Sequence, residues 1–186
     1  ALRMGSVVET KIAAKFHIID YATTHRTEFG DIYLMKNCKF FLGNTAGLVC
    51  VSYIFNVPNI TTNLQLLAIP PVGKRDLFIP KKVWHKAERR FLTFKEMIEH
   101  SVLQYMSAND FDDYGLEFIE NTPEEILAVT REMNERIDGT WKVIADDEKL
   151  QQAFKSLYKK SAHCFGPPAA RIGAQFLREN KGLMGD

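Results

Sequence analysis

The segment Gly43-Asn44-Thr45-Ala46-Gly47 has the composition of an anion cradle. It follows the apolar run Lys39 to Leu42, which reads as a short buried strand. It precedes Leu48 to Phe55, which reads as a helix apolar all round and therefore buried. Where a strand turns on glycines into a helix, the first helical amides have no partner within the helix. Those amides and the helix dipole favour negative charge. Gly43 and Gly47 let the backbone approach a phosphate with no Cβ in the way, and Asn44 and Thr45 add side-chain donors. In an open α/β sheet such a turn stands at the carboxyl end of a strand, where ligands bind. The same pattern also serves as a plain glycine turn that starts a helix. It is neither GxGxxG nor a Walker-type loop, since no lysine follows the second glycine, so a phosphate-hydrolysing P-loop is not expected.

Other residues invite chemistry with less support from their surroundings. Arg3-Met4-Gly5 sits at the end of an apparent strand, where an arginine can pair with a diphosphate in two-pronged fashion or lie exposed at a frayed terminus. His25, followed by Arg26, is a candidate base or phosphate donor, and a loop histidine without a role is the alternative. Asp31 reads as a helix N-cap rather than an acid. Asp110-Phe111-Asp112 has the spacing that can hold a divalent metal, against the plainer reading of a solvated acidic loop. Trp84, Phe91 and Phe94 surround the basic Lys81 to Arg90 stretch, where a base could stack, although packing is the commoner use of such rings. The five histidines lack metal-ligand spacing, and no GxSxG elbow exists.

The elements that must position these residues alternate between strand and helix, the signature of a layered α/β domain. Ile18 to Tyr21, Lys39 to Leu42, Asn59 to Thr62 and Leu77 to Ile79 read as strands. Asp31 to Lys36 and Leu48 to Phe55 read as helices, and Asn63 to Arg75 as a loop holding Pro70, Pro71 and Gly73. The second half reads as mainly helical. Capping boxes stand at Thr93/Glu96 and Thr122/Glu125, the second with Pro123 at the first helical position. Ile126, Val129, Met133 and Ile137 recur at helical spacing, Asp146 to Lys160 is amphipathic, and Arg171 to Asn180 reads as a last helix.

With 186 residues, 46% of them hydrophobic, the chain suffices for one domain with a sizeable core. A formal net charge of +1 without charge blocks argues against a nucleic-acid or membrane-surface binder. The three cysteines are odd in number and outside CxxC spacing, so reduced thiols and a cytoplasmic setting are expected. The longest apolar stretch is too short to span a bilayer. The opening Ala1-Leu2-Arg3-Met4-Gly5, with no lead-in to its strand, reads as a piece of something longer.

Taken in order, Arg3-Met4-Gly5, HRTEFGDIYL (His25 to Leu34), CKFFLGNTAGL (Cys38 to Leu48), FNVPNITTN (Phe55 to Asn63), KRDLFIPKKVW (Lys74 to Trp84), RFLTFKEM (Arg90 to Met97), NTPEEI (Asn121 to Ile126) and RIGAQFL (Arg171 to Leu177) resemble bacterial glycosyltransferases of surface-carbohydrate clusters. The resemblance runs over nearly the whole chain. The stretch Asp31 to Phe55 is also similar in outline to a fucosyltransferase motif whose small-residue loop contacts the donor diphosphate. The resemblance implies a Rossmann-like three-layer domain with additional C-terminal helices, the donor-binding half of a GT-B fold. It implies a nucleotide diphosphate sugar as substrate, with no cofactor and no required metal. Arg3, Gly43, Asn44, Thr45, Ala46 and Gly47 would lie near the phosphates, with His25 and Arg26 as neighbours. Acceptor contacts would come from an absent N-terminal domain or another subunit, and a homo-oligomer is compatible. Fucosyltransferases carry paired serines where this chain has Thr45-Ala46, which leaves the sugar open.

Overall fold

The computed structural model describes residues 1–13, 17–99, 114–144, 146–158 and 166–185. Seven strands are present among them: β1 (Phe41–Gly43), β2 (Asn59–Leu64), β3 (Leu77–Pro80), β4 (Lys82–His85), β5 (Arg90–Phe91), β6 (Leu116–Ile119) and β7 (Arg171–Ile172). The helices are α1 (Tyr21–Thr24), α2 (Glu28–Asn37), α3 (Leu48–Ile54), α4 (Phe94–Glu99), α5 (Pro123–Ile137), α6 (Asp147–Tyr158) and α7 (Ala174–Glu179), followed by a 3-10 turn at Lys181–Met184.

The strands form two sheets. One is four-stranded and parallel, in the order β1-β2-β3-β7, with Phe41 opposite Asn59, Ile60 opposite Leu77 and Leu77 opposite Arg171. The other is antiparallel, in the order β5-β4-β6. Every residue of β3 is buried, as are all but one of β2. Successive strand residues face opposite sides, so both faces of the parallel sheet are covered. α5 and α3 supply part of that cover, α5 on β2 and β3 and α3 on β1. The chain is therefore mixed α/β, with a parallel sheet flanked by helices.

One apolar core joins the two sheets. Ile60, Phe78 and Ile79 of the parallel sheet, Val83 and Leu116 of the antiparallel sheet, and Val129 and Met133 of α5 belong to the same buried cluster. Each such side chain contributes roughly 1.5–3 kcal/mol on burial. Phe154 of α6 is central, with ring centroids 6.1 Å from Phe78, 5.4 Å from Phe94 and 5.6 Å from Tyr158. The Tyr158 hydroxyl donates to the Leu67 carbonyl at 2.7 Å, so the ring is buried with its polar end satisfied.

Both capping boxes form. Thr93 and Glu96 exchange backbone-to-side-chain bonds at the start of α4, and Thr122 and Glu125 do so at the start of α5. Five local readings change. Asp31 does not cap α2: the helix starts earlier, Thr27 Oγ1 accepts the Gly30 amide at 2.9 Å, and Asp31 is buried inside the first turn, paired with Arg26. α3 is not buried all round, because only one side meets the sheet and Ile54 is 76% exposed. Arg171-Ile172 is the last parallel strand rather than the start of a helix, since Leu77 and Phe78 recruit it as a ladder partner, and α7 begins after Gly173. The second half is not mainly helical up to α5, because β4, β5 and β6 make a sheet of their own. The Ile18 to Tyr21 strand shrinks to a single parallel bridge between Leu2 and Ile19, and Tyr21 opens α1.

No helix among the described residues is long and apolar enough to cross a membrane.

Candidate functional site

β1 ends at Gly43, and Asn44 to Gly47 form an exposed loop before α3. Asn44 organises the loop by accepting the Ala46 amide on its Oδ1 at 3.1 Å. The Val49 and Cys50 amides then bond back to the carbonyls of Ala46 and Gly47. Among the described residues, the amides of Thr45, Gly47 and Leu48 donate to no protein atom. They are free to meet a ligand or water.

The two loop glycines answer to different demands. A Cβ on Gly43 would meet the Phe41 ring at 2.6 Å, so this glycine makes room for a neighbouring side chain. A Cβ on Gly47 would meet nothing within 4 Å, and its φ of −53° is open to any residue. No protein neighbour requires glycine there.

A cavity of about 690 Å3 lies between this loop, β1 and the N-terminal segment. Ala1 to Gly5 line one side, Phe40 to Asn44 and Ala46 another, and Leu34, Met35 and Cys38 from the end of α2 contribute, with Thr130 reaching in from α5. The N-terminal segment is held by backbone bonds, from the Arg3 amide to the Ile19 carbonyl (2.9 Å) and from the Ile19 amide to the Ala1 carbonyl (3.0 Å). Arg3 and the turn residues Gly43, Asn44 and Ala46, distant in sequence, thus face one space, which Gly47 does not line. Most of the lining is apolar. Burial in it pushes the Cys38 thiol up from its ordinary value.

The Arg3 guanidinium is engaged within the protein. Its Nε and Nη2 donate to the two carboxylate oxygens of Asp20, each at 2.8 Å, and Nη1 donates to the Thr10 carbonyl at 2.7 Å. Burial pushes the Asp20 carboxyl up, but hydrogen bonds from Arg3, Thr23 and the Ile12 amide outweigh it and hold the group at about 2. As it stands, Arg3 positions the segment that walls the cavity.

His25 and Arg26 do not line this cavity. His25 caps the end of α1, and Arg26 pairs with Asp31 at 2.9 Å. Thr45 faces a second, smaller cavity of about 200 Å3, walled by Val49, Tyr53, Ile69 and the Pro70-Pro71-Val72 turn. The Asn44 to Gly47 loop therefore separates two spaces. The aromatic cluster is structural in part: Phe94 is fully buried in the core, and Trp84 packs edge-on against Phe91 at 5.0 Å. The acidic Asp110 to Asp113 run lies outside the described residues. Among those described, no three His, Cys, Asp or Glu side chains cluster as metal ligands, and Cys38 and Cys50 are free thiols.

The lining by Leu34, Met35 and Thr130 was not readable in advance. Met35 has the pattern of an ordinary core position, and Thr130 arrives from a helix far along the chain. Compared with known protein families, curated proteins and solved structures, the chain matches none.

Proposed function

We propose that this chain binds a nucleotide diphosphate sugar as the donor half of a GT-B type glycosyltransferase acting in the cytoplasm. One observation carries the reading: Arg3 to Gly5, Gly43, Asn44 and Ala46 line a single cavity beside the carboxyl end of β1, next to amides that no protein atom engages among the described residues. In a doubly wound domain this is the edge where nucleotides are held. The Thr45, Gly47 and Leu48 amides would take the diphosphate oxygens and stabilise charge on the leaving group without a required metal. Gly47 leaves space for that approach. Arg3 acts here through Asp20, keeping the cavity wall in place. The general base and acceptor contacts belong to a second domain or another subunit, and His25 receives no role in the transfer.

Amide NMR tests the assignment. Adding a nucleoside diphosphate should shift the Thr45, Gly47 and Leu48 amides first and saturably. Shifts that leave these three unmoved would refute it.

A second reading, a protein-interaction domain, rests on a different surface. Phe29, Ile32 and Tyr33 on α2 are exposed at helical spacing, and Ile54 is exposed on the adjoining α3. That reading expects self-association, including a homo-oligomer, without nucleotide affinity.

A further inference from the structure

The opposite end of the parallel sheet carries a third cavity, of about 370 Å3. Pro58 precedes β2, Asp76 precedes β3 and Arg171 opens β7, so this cavity stands at the amino ends of strands whose carboxyl ends point toward the Asn44 to Gly47 side. Its walls divide by chemistry. Leu77, Met133 and Ile137 with Pro58 make an apolar side, while Lys74, Arg75, Arg136 and Arg171 bring four cations.

The local carboxylates account for only part of that charge. Arg171 is paired in two-pronged fashion with Glu148, and Arg136 with Glu132. Asp76 is buried, with its oxygens taken by the amides of Asn59 (3.0 Å) and Gly73 (3.1 Å). Arg75 donates to the Asn56 carbonyl and forms no ion pair, and Lys74 has neither ion pair nor hydrogen bond among the described residues. Two donors are also left over inside. Arg171 Nε is buried with no acceptor, and Arg136 Nη2 lies 2.8 Å from Glu132 Oε1 without the alignment of a hydrogen bond. Both atoms are sealed from solvent, so the open cations at this cavity are the exposed Lys74 and Arg75.

We propose that this cavity is a binding site for a phosphate group carried on a small apolar or aromatic body. Lys74 and Arg75 take the phosphate oxygens at the mouth, and the Leu77, Met133 and Ile137 wall receives the body. Arginine suits this task because its planar fork matches phosphate geometry. The volume exceeds what a bare phosphate needs and falls in the range of small-molecule pockets. The site lies away from the Asn44 to Gly47 loop and is independent of it, so a ligand bound here would act on the domain rather than as the donor.

Phenyl phosphate, inorganic phosphate and phenol, titrated separately at constant ionic strength against the full chain, test this by amide and side-chain NMR. Saturable shifts at Arg75, Leu77 and Ile137 with phenyl phosphate, and none with phenol, are expected. Tighter binding of phenyl phosphate than of inorganic phosphate supports the proposal, and equal binding, which would leave the apolar wall without a role, overturns it. The double variant Lys74→Gln/Arg75→Gln removes exposed side chains and should retain the fold while losing at least about tenfold in affinity. No saturable shift up to about 10 mM ligand, or undiminished binding by the double variant, would overturn the proposal.

Discussion

Asn63 and Asn121 each accept the other's backbone amide on the side-chain oxygen, both at 2.6 Å. Asn63 stands near the end of β2 with a φ of +52°, a conformation that asparagine tolerates better than most residues. Asn121 precedes the Thr122 cap of α5 and also donates to the Pro80 carbonyl at 2.8 Å, where β3 passes into the antiparallel sheet. This reciprocal pair ties the carboxyl edge of the parallel sheet to the start of α5.

Replacing Asn121 with alanine removes the acceptor for the Asn63 amide and the donor for the Pro80 carbonyl. An unsatisfied buried polar group costs about 1–3 kcal/mol. Asn121→Ala should lower stability by about 2 kcal/mol, seen as a lower urea midpoint with an unchanged slope. A midpoint equal to wild type would mean that water replaces both bonds.

The Arg3–Asp20 clamp predicts an acid-sensitive wall. The folded-state carboxyl titrates at about 2, below its ordinary 3.8, so the unfolded chain takes up the proton first. The contribution is complete above pH 3.8 and is lost as pH falls toward about 2. Unfolding free energy measured through that window should slope less steeply in Asp20→Asn, and less steeply by a smaller amount in Arg3→Gln, which keeps the Thr23 and Ile12 bonds to the carboxylate. Wild-type slopes in both variants would dissociate the clamp from stability.

The loop glycines should respond in opposite ways. Gly47→Val meets open space at its Cβ, so thermal stability should stay within about 1 kcal/mol of wild type while nucleotide affinity disappears. Gly43→Ala pushes on the Phe41 ring and should cost about 1–3 kcal/mol. Circular dichroism melts on the two variants check the contrast. A destabilised Gly47→Val with intact binding would reverse it.

β1, β2 and β3 were legible because each is a short apolar or β-branched run, β3 lying between Asp76 and Lys81 with Pro80 at its end, and the capping boxes announce α4 and α5. The antiparallel sheet was not. β4 reads KVWH and β5 contributes two residues, so neither has the length or alternation that marks a strand, and their pairing with Leu116 to Ile119 is settled by the shared core. Arg171-Ile172 fits a helix as well as a strand until Leu77 and Phe78 offer it a ladder. Asp31 has the chemistry of a cap, but Thr27 reaches the Gly30 amide first. At the site, the glycine turn was readable from local pattern. The engagement of Arg3 by Asp20 was not, because it depends on a fold-back of the chain that brings Ile19 beside Leu2.

Calorimetric titration of the chain with UDP, GDP, CMP and dTDP, with and without a divalent cation, reaches the central claim most directly. Metal-independent binding of one nucleoside diphosphate, abolished by Gly47→Val, is the predicted result and names the donor class. Absence of binding to every member of the panel, both alone and after addition of a partner domain, would contradict it and leave the exposed α2–α3 face as the basis for an interaction domain.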